Sequence, residues 1–207
     1  MDGVLLNSSA IHGAAYQEAL REFPIRNFSY ARVAGMRSAD GIRAILRENA
    51  VELSEGQIAA LAAAKSKIAL AHIVEENPIV PGTRNVLEAL SERAKLALAS
   101  SASTASVNAF LDRNGLRPFF HCVLHSGDVR DAKPSPEIFQ LAIRRLGVDA
   151  ASSLVIEDAV AGIQAAKAAG AVACGIASTC RADELEQAGA VLMIDCLEDL
   201  LELGAGQ

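Results

Sequence analysis

From residue 79 onward, short apolar runs alternate with longer stretches of helical spacing, and this alternation leaves the chain very few folds. AKLALAS (94–100), CVLHS (122–126), SLVIED (153–158), AVACGIAS (171–178) and VLMID (191–195) each have the length and apolar content of a buried strand. Helical segments separate them: TASVNAFLDRNGL, which ends at Gly115 as a natural stop, then SPEIFQLAIRRLG and VAGIQAAKAAG. PGTRNVLEALSER precedes the first run and CLEDLLEL follows the last. Strands this short, joined through helices, predict an α/β fold: a Rossmann-like parallel sheet with helices on both faces. Ligands bind such sheets beyond the carboxyl ends of the strands, so the residues just after each apolar run come first in a search for chemistry.

The region from Ser9 to about Pro78 has a different rhythm. SAIHGAAYQEALREF, SADGIRAILRENA and SEGQIAALAAAKSKIALAHIVEE place apolar residues at helical spacing, and Ser54 with Gln57 is a start signal for the third. With no convincing strand among them, these segments predict a small helical bundle. Hydrophobic residues make up 51% of the 207 and aromatics only 4%, so Ala, Leu, Val and Ile must fill the core. The net charge of −6 argues against a nucleic-acid partner. Cysteines 122, 174, 180 and 196 show no CxxC pair and no ligand spacing with histidine, which predicts reduced, structural thiols in a cytoplasmic protein. No secretory leader or membrane-length apolar segment is evident, so no membrane association is expected.

The strand ends carry a coherent set of groups. Ser100 and Ser101 follow LALA, Lys133 stands in DAKPSPEIF, Glu157 and Asp158 follow LVI, and Asp2 opens the chain. Hydroxyls, a cation and paired carboxylates suit a phosphoryl group bound with Mg²⁺, which prefers hard oxygen ligands. Taken singly, each has an ordinary reading. Serine after a strand makes turns, lysine before proline is solvated, and Glu-Asp before a helix caps it. Their order and spacing are what point to a shared site.

Four segments carry a family resemblance: MDGVLLNS, LALASS, KPSPEIF and VIEDAVAGIQAAKAAG. In this order they resemble the four motifs of the haloacid dehalogenase (HAD) superfamily, in its phosphatase and β-phosphoglucomutase-like branch with a helical cap. The resemblance implies an α/β core of residues 1–8 and 79–207 and a cap of residues 9–78. It implies a phosphoric monoester phosphatase acting on a small phosphorylated metabolite, with Mg²⁺ as cofactor. Ser100 and Ser101 would hold the phosphate, Lys133 would neutralise it, and Asp158 with Glu157 would ligate the metal. Asp2 would act as acid and then base, its carbonyl facing the metal. His12 stands where mutases of this branch place a histidine, beside the bland reading of a hinge residue. Arg37 stands one position before the place of the mutases' phosphate-binding arginine, which Ser38 occupies here. That favours a phosphatase over a sugar-phosphate mutase, and Arg43 reads as a surface residue.

The first motif of the family is D-x-D-G, and its leading aspartate is the nucleophile. Aligned on Asp2-Gly3, that aspartate would precede Met1, together with the family's first core strand. The expectation is that the sequence as given starts late, at an internal Met codon or a truncated gene end. The alternatives are attack by Asp2 or by metal-bound water, or a non-catalytic metabolite-binding remnant. The sheet slot would then be filled by residues 4–6, by a neighbouring chain through self-association, or not at all.

Overall fold

The structure, a computed structural model, describes residues 1–203. Its strands are β1 (Ala97–Ala99), β2 (Cys122–Leu124), β3 (Leu154–Glu157), β4 (Val172–Ile176) and β5 (Leu192–Ile194). Every pairing within these strands is parallel, with Leu98 opposite Val123, Ile156 opposite Cys174 and Gly175 opposite Met193. Parallel neighbours need long crossovers, and these are helices: α5 (Thr104–Asn114), α7 (Val160–Ala168) and α8 (Ala182–Ala188), while α6 (Glu137–Leu146) leads from β2 to β3. Gly115 ends α5 in the left-handed conformation.

The α/β fold is as read from the sequence, with one qualification. The strands form two ladders, β1–β2 and β3–β4–β5, so β1 and β3 each keep one edge without a strand among the described residues. Residues 4–6 do not fill that place. Gly3 donates to the Leu6 carbonyl at 2.8 Å, and the amides of Val4, Leu5 and Leu6 all turn onto the Met1 carbonyl, which makes a tight turn. Their side chains are nevertheless buried, packing in one cluster with Leu98, Phe110 and Ile176.

The cap contains α1 (Ser9–Ala19), α2 (Ser38–Glu48) and α3 (Glu55–Glu76), and α4 (Thr83–Ser91) leads back toward β1. Ser54 caps α3 as expected: its Oγ accepts from the Gln57 amide, and the Gln57 side chain accepts from the Ser54 amide. The first helix ends at Ala19, four residues short of Phe23, because a residue before proline avoids the helical region and Pro24 has no amide to donate. A 3₁₀ turn at Tyr30–Arg32 interrupts the bundle before α2. The cap has its own core of Tyr16, Leu20, Ile42, Ile45, Leu46 and Ile58.

One expectation needs correcting. At 22 residues, with a mean hydropathy of 1.3 in its most apolar window, α3 is long and apolar enough to cross a membrane. Its alanines account for that value. The helix packs against α1 and α2, with Lys65 among its buried residues.

A buried side chain bridges the two ladders, which also pack in shared apolar clusters. Lys133, on the loop between β2 and α6, is 6% exposed and donates to the Ala99 carbonyl at 3.3 Å and to Glu157 Oε1 at 2.5 Å. It thereby links the last residue of β1 to the last residue of β3. Removing one partner of a buried pair leaves the other charge uncompensated. Lys133→Met should therefore lower the unfolding free energy by about 3–5 kcal/mol in urea titrations. Adding Glu157→Gln should recover much of that loss, and a double variant as unstable as the single one would show that the pairing does not hold these strands.

Candidate functional site

Beyond these strand ends lies a cavity of about 70 Å³, walled by the core on one side and the cap on the other. The core supplies Asp2, Ser100, Ser101, Lys133, Glu157 and Asp158; the cap side supplies His12, Tyr16, Tyr30, Ser38, Lys65 and Ser66. Of the residues singled out from the sequence, only Arg37 does not line it.

Ser100 continues the β1–β2 ladder by one bond, its amide donating to the Leu124 carbonyl at 3.0 Å. Its Oγ accepts from the Ala102 amide at 3.1 Å and keeps its own proton to donate. The residue is 3% exposed. Ser101 is differently occupied: its hydroxyl donates to the Gly35 carbonyl of the cap at 2.6 Å.

Glu157 and Asp158 do not cap α7, whose N-terminus has no side-chain cap. Glu157 serves Lys133, and a side chain at Gly162 would place its Cβ 1.9 Å from Glu157 Oε2, so the close approach requires glycine. Asp158 is 7% exposed. Burial, then the charge of Glu157, pushes its pKa up to about 6 against a hydrogen bond from Thr179. Gly3, at φ +67°, has the same constraint: a Cβ there would come within 1.8 Å of Asp158 Oδ2. This explains physically why glycine follows Asp2.

Asp2 Oδ1 accepts from Ser8 Oγ at 2.7 Å and from His12 Nε2 at 2.9 Å. His12 Nδ1 in turn lies 3.1 Å from Lys65 Nζ. An ammonium has only protons to offer, so Nδ1 accepts and Nε2 carries the ring proton that Asp2 receives. Burial raises the Asp2 pKa, but the His12 imidazole and the Ser8 hydrogen bond more than offset it, holding the carboxyl well below the usual range.

Sequence reasoning missed Lys65. It lies in the Ala-rich middle of α3, 6% exposed, with its ammonium 4.4 Å from the centroid of the Tyr16 ring. Burial, only partly countered by the charge of Asp2, lowers its pKa to about 8. One signal was available: Ile58, Lys65, Ala69 and Ile73 recur at helical spacing and form the buried stripe of α3. Thr179, after β4, was also missed; it contacts Ser9 Oγ at 2.5 Å besides Asp158.

Arg37 points away from the cavity and onto the core. Its guanidinium donates to the carbonyls of Ser126 and Arg130, each at 2.7 Å, and to that of Val129. Arg43 is a surface residue, paired with Asp40 and Glu55. Cys122, Cys174 and Cys180 are buried free thiols and Cys196 is an exposed one.

Among the described residues no three side chains of His, Cys, Asp or Glu cluster as a ready-made metal cage. Glu157 is engaged by Lys133 and the Asp2 carboxylate by Ser8 and His12, which leaves Asp158 as the available hard donor. The donor set still fits Mg²⁺, which keeps several waters and commonly takes one or two carboxylates beside a phosphate. Burial, and then the charge of Glu157, raises the pKa of Asp158, and a bound cation would favour its ionised form.

The haloacid dehalogenase-like hydrolase family profile matches residues 1–170. A phosphorylated carbohydrates phosphatase of Thermotoga maritima is 30% identical over 173 residues, covering 82% of this chain and 79% of the relative. The fructose-1-phosphate phosphatase YqaB of Escherichia coli is 31% identical over 172 residues, covering 82% and 89%. Among solved structures, a hydrolase from Pseudomonas syringae superposes with a TM-score of 0.86 at 26% identity, covering 97% of this chain and 93% of that one. With the motif residues gathered at one cavity and a family match over most of its length, the chain belongs to the haloacid dehalogenase-like hydrolases.

Proposed function

We propose that the cavity is a phosphoryl-transfer site of a phosphatase acting on phosphorylated sugars. The observation that carries this reading is the meeting of Ser100, Lys133, Asp158 and Asp2, from four separate segments, around one cavity. Ser100 and the neighbouring loop amides supply hydrogen bonds for phosphate oxygens, and Lys133 supplies positive charge. Asp158 would hold Mg²⁺, which when bound would supply charge neutralisation to the transferring group. Asp2, kept ionised by His12 and Ser8, would act as a proton acceptor, its carboxylate 2.9 Å from His12 Nε2.

Support for a sugar comes from the cap wall. Ser38 Oγ lies 3.2 Å from Ser66 Oγ, and the Tyr16 hydroxyl bonds with Ser38, giving a cluster of hydroxyls suited to a polyol. The names of the two phosphatase relatives agree with this class. No arginine lines the cavity among the described residues, which favours substrates with one phosphate and a phosphatase over a mutase.

Lys65 supplies a physical argument for function over stability. A lysine whose pKa falls from 10.5 unfolded to about 8 folded costs stability, in full, below pH 8. Between those values the unfolded chain binds more protons, so stability rises with pH and the cost fades.

Two outcomes follow. Inorganic phosphate with Mg²⁺ should raise the melting temperature, with Ser100→Ala weakening phosphate affinity by about fivefold, the worth of one hydrogen bond. Asp158→Asn should remove the Mg²⁺ dependence, and phosphate binding indifferent to both substitutions would overturn the reading. Separately, Lys65→Met should be more stable than the parent by about 1–3 kcal/mol at pH 7. That advantage should shrink by pH 10 in paired urea titrations. A variant less stable at pH 7 would refute the linkage.

A further inference from the structure

We propose that Arg37 is a positioning residue that clasps the core loop carrying Lys133 and so holds the cap closed over the cavity. Arg37 sits just before α2, and its guanidinium reaches three backbone carbonyls, those of Ser126, Val129 and Arg130. These belong to the segment that leads from β2 to Lys133. Glu137, at the start of α6, holds the same segment from the other side, accepting from the amides of Arg130 at 3.0 Å and Asp131 at 2.7 Å. The loop is thus fixed by two opposite charges, an anion from the core on its amides and a cation from the cap on its carbonyls.

A second contact reinforces the first. The hydroxyl of Ser101 donates to the Gly35 carbonyl, two residues before Arg37, so the cap segment 35–37 is fastened to two separate core loops. The planar fork of arginine can serve several carbonyls at once, whereas the ammonium of lysine acts as a point donor.

The place of the cavity gives the clasp a consequence. It lies between cap and core, partly open to solvent, beside the loop that Arg37 holds and the Lys133 that this loop carries. Lifting the cap away from the core requires Arg37 to release that loop. Closure and the placement of Lys133 are therefore coupled through one side chain. This coupling extends the phosphoryl-transfer reading and rests on it only where phosphate is concerned.

Hydrogen exchange measured by mass spectrometry on the full chain tests the clasp without any ligand. In Arg37→Met, segments 33–38 and 126–131 should exchange together, roughly tenfold faster or more, while β4 and α7 keep their protection. Arg37→Lys should restore part of the protection in both segments. Unchanged exchange at 126–131, or a rise spread evenly over the whole chain, would overturn the clasp, because a residue that only stabilises the fold gives the uniform pattern. Release of inorganic phosphate, followed in the presence of Mg²⁺, should also accelerate roughly tenfold in Arg37→Met. Faster exchange with unchanged release would sustain the clasp and count against phosphate held beneath the cap.

Discussion

Lys133 joins two strand ends that no backbone ladder connects. Its bonds go to Ala99 and Glu157, and the residues immediately following these are Ser100 and Asp158. The Ser100 hydroxyl and the Asp158 carboxylate are therefore held near one another by a buried side chain, together with the apolar packing that β1 and β3 share. Such a pair gives little net stability, since desolvating both charges offsets most of their attraction, and an apolar pair of similar size often does better. Its physical value lies in geometry and charge. Lys133 pairs with one of two adjacent carboxylates, and burial, then the charge of Glu157, raises the pKa of the other, Asp158, to about 6.

Much of this was legible in the sequence because strand ends in parallel α/β folds are fixed by the same periodicity that defines the strands. Ser100, Lys133, Glu157, Asp158 and Asp2 all meet at one cavity. Strand lengths were overread: AKLALAS contributes three residues to β1 and AVACGIAS five to β4, the flanking residues making at most single bonds to the neighbouring strand, as Leu96 and Ser100 do. The break between β1 and β3 follows from pairing, which a single run of residues does not encode.

The cap was the less legible half. Arg37 reads from sequence as a substrate contact, because a cation in a cap loop has no visible alternative partner. Its partners are carbonyls some ninety residues away, and backbone carbonyls leave no trace in a sequence. Ser101 likewise spends its hydroxyl on the Gly35 carbonyl. Lys65 was obscured by composition: two lysines in an alanine-rich helix look alike, and only the spacing of Lys65 with Ile58, Ala69 and Ile73 sets it apart from exposed Lys67.

The two cap cations are spent differently. Arg37 directs its hydrogen bonds to core carbonyls, so they hold only while the cap rests on the core. Lys65 meets His12 Nδ1 at 3.1 Å and the Tyr16 ring, both on α1, so its burial belongs largely to the cap itself. That burial outweighs the attraction of Asp2 and lowers its pKa to about 8. An anion in the cavity would compensate the charge of Lys65 from the core side, and such a contact would add to those Arg37 already makes between cap and core.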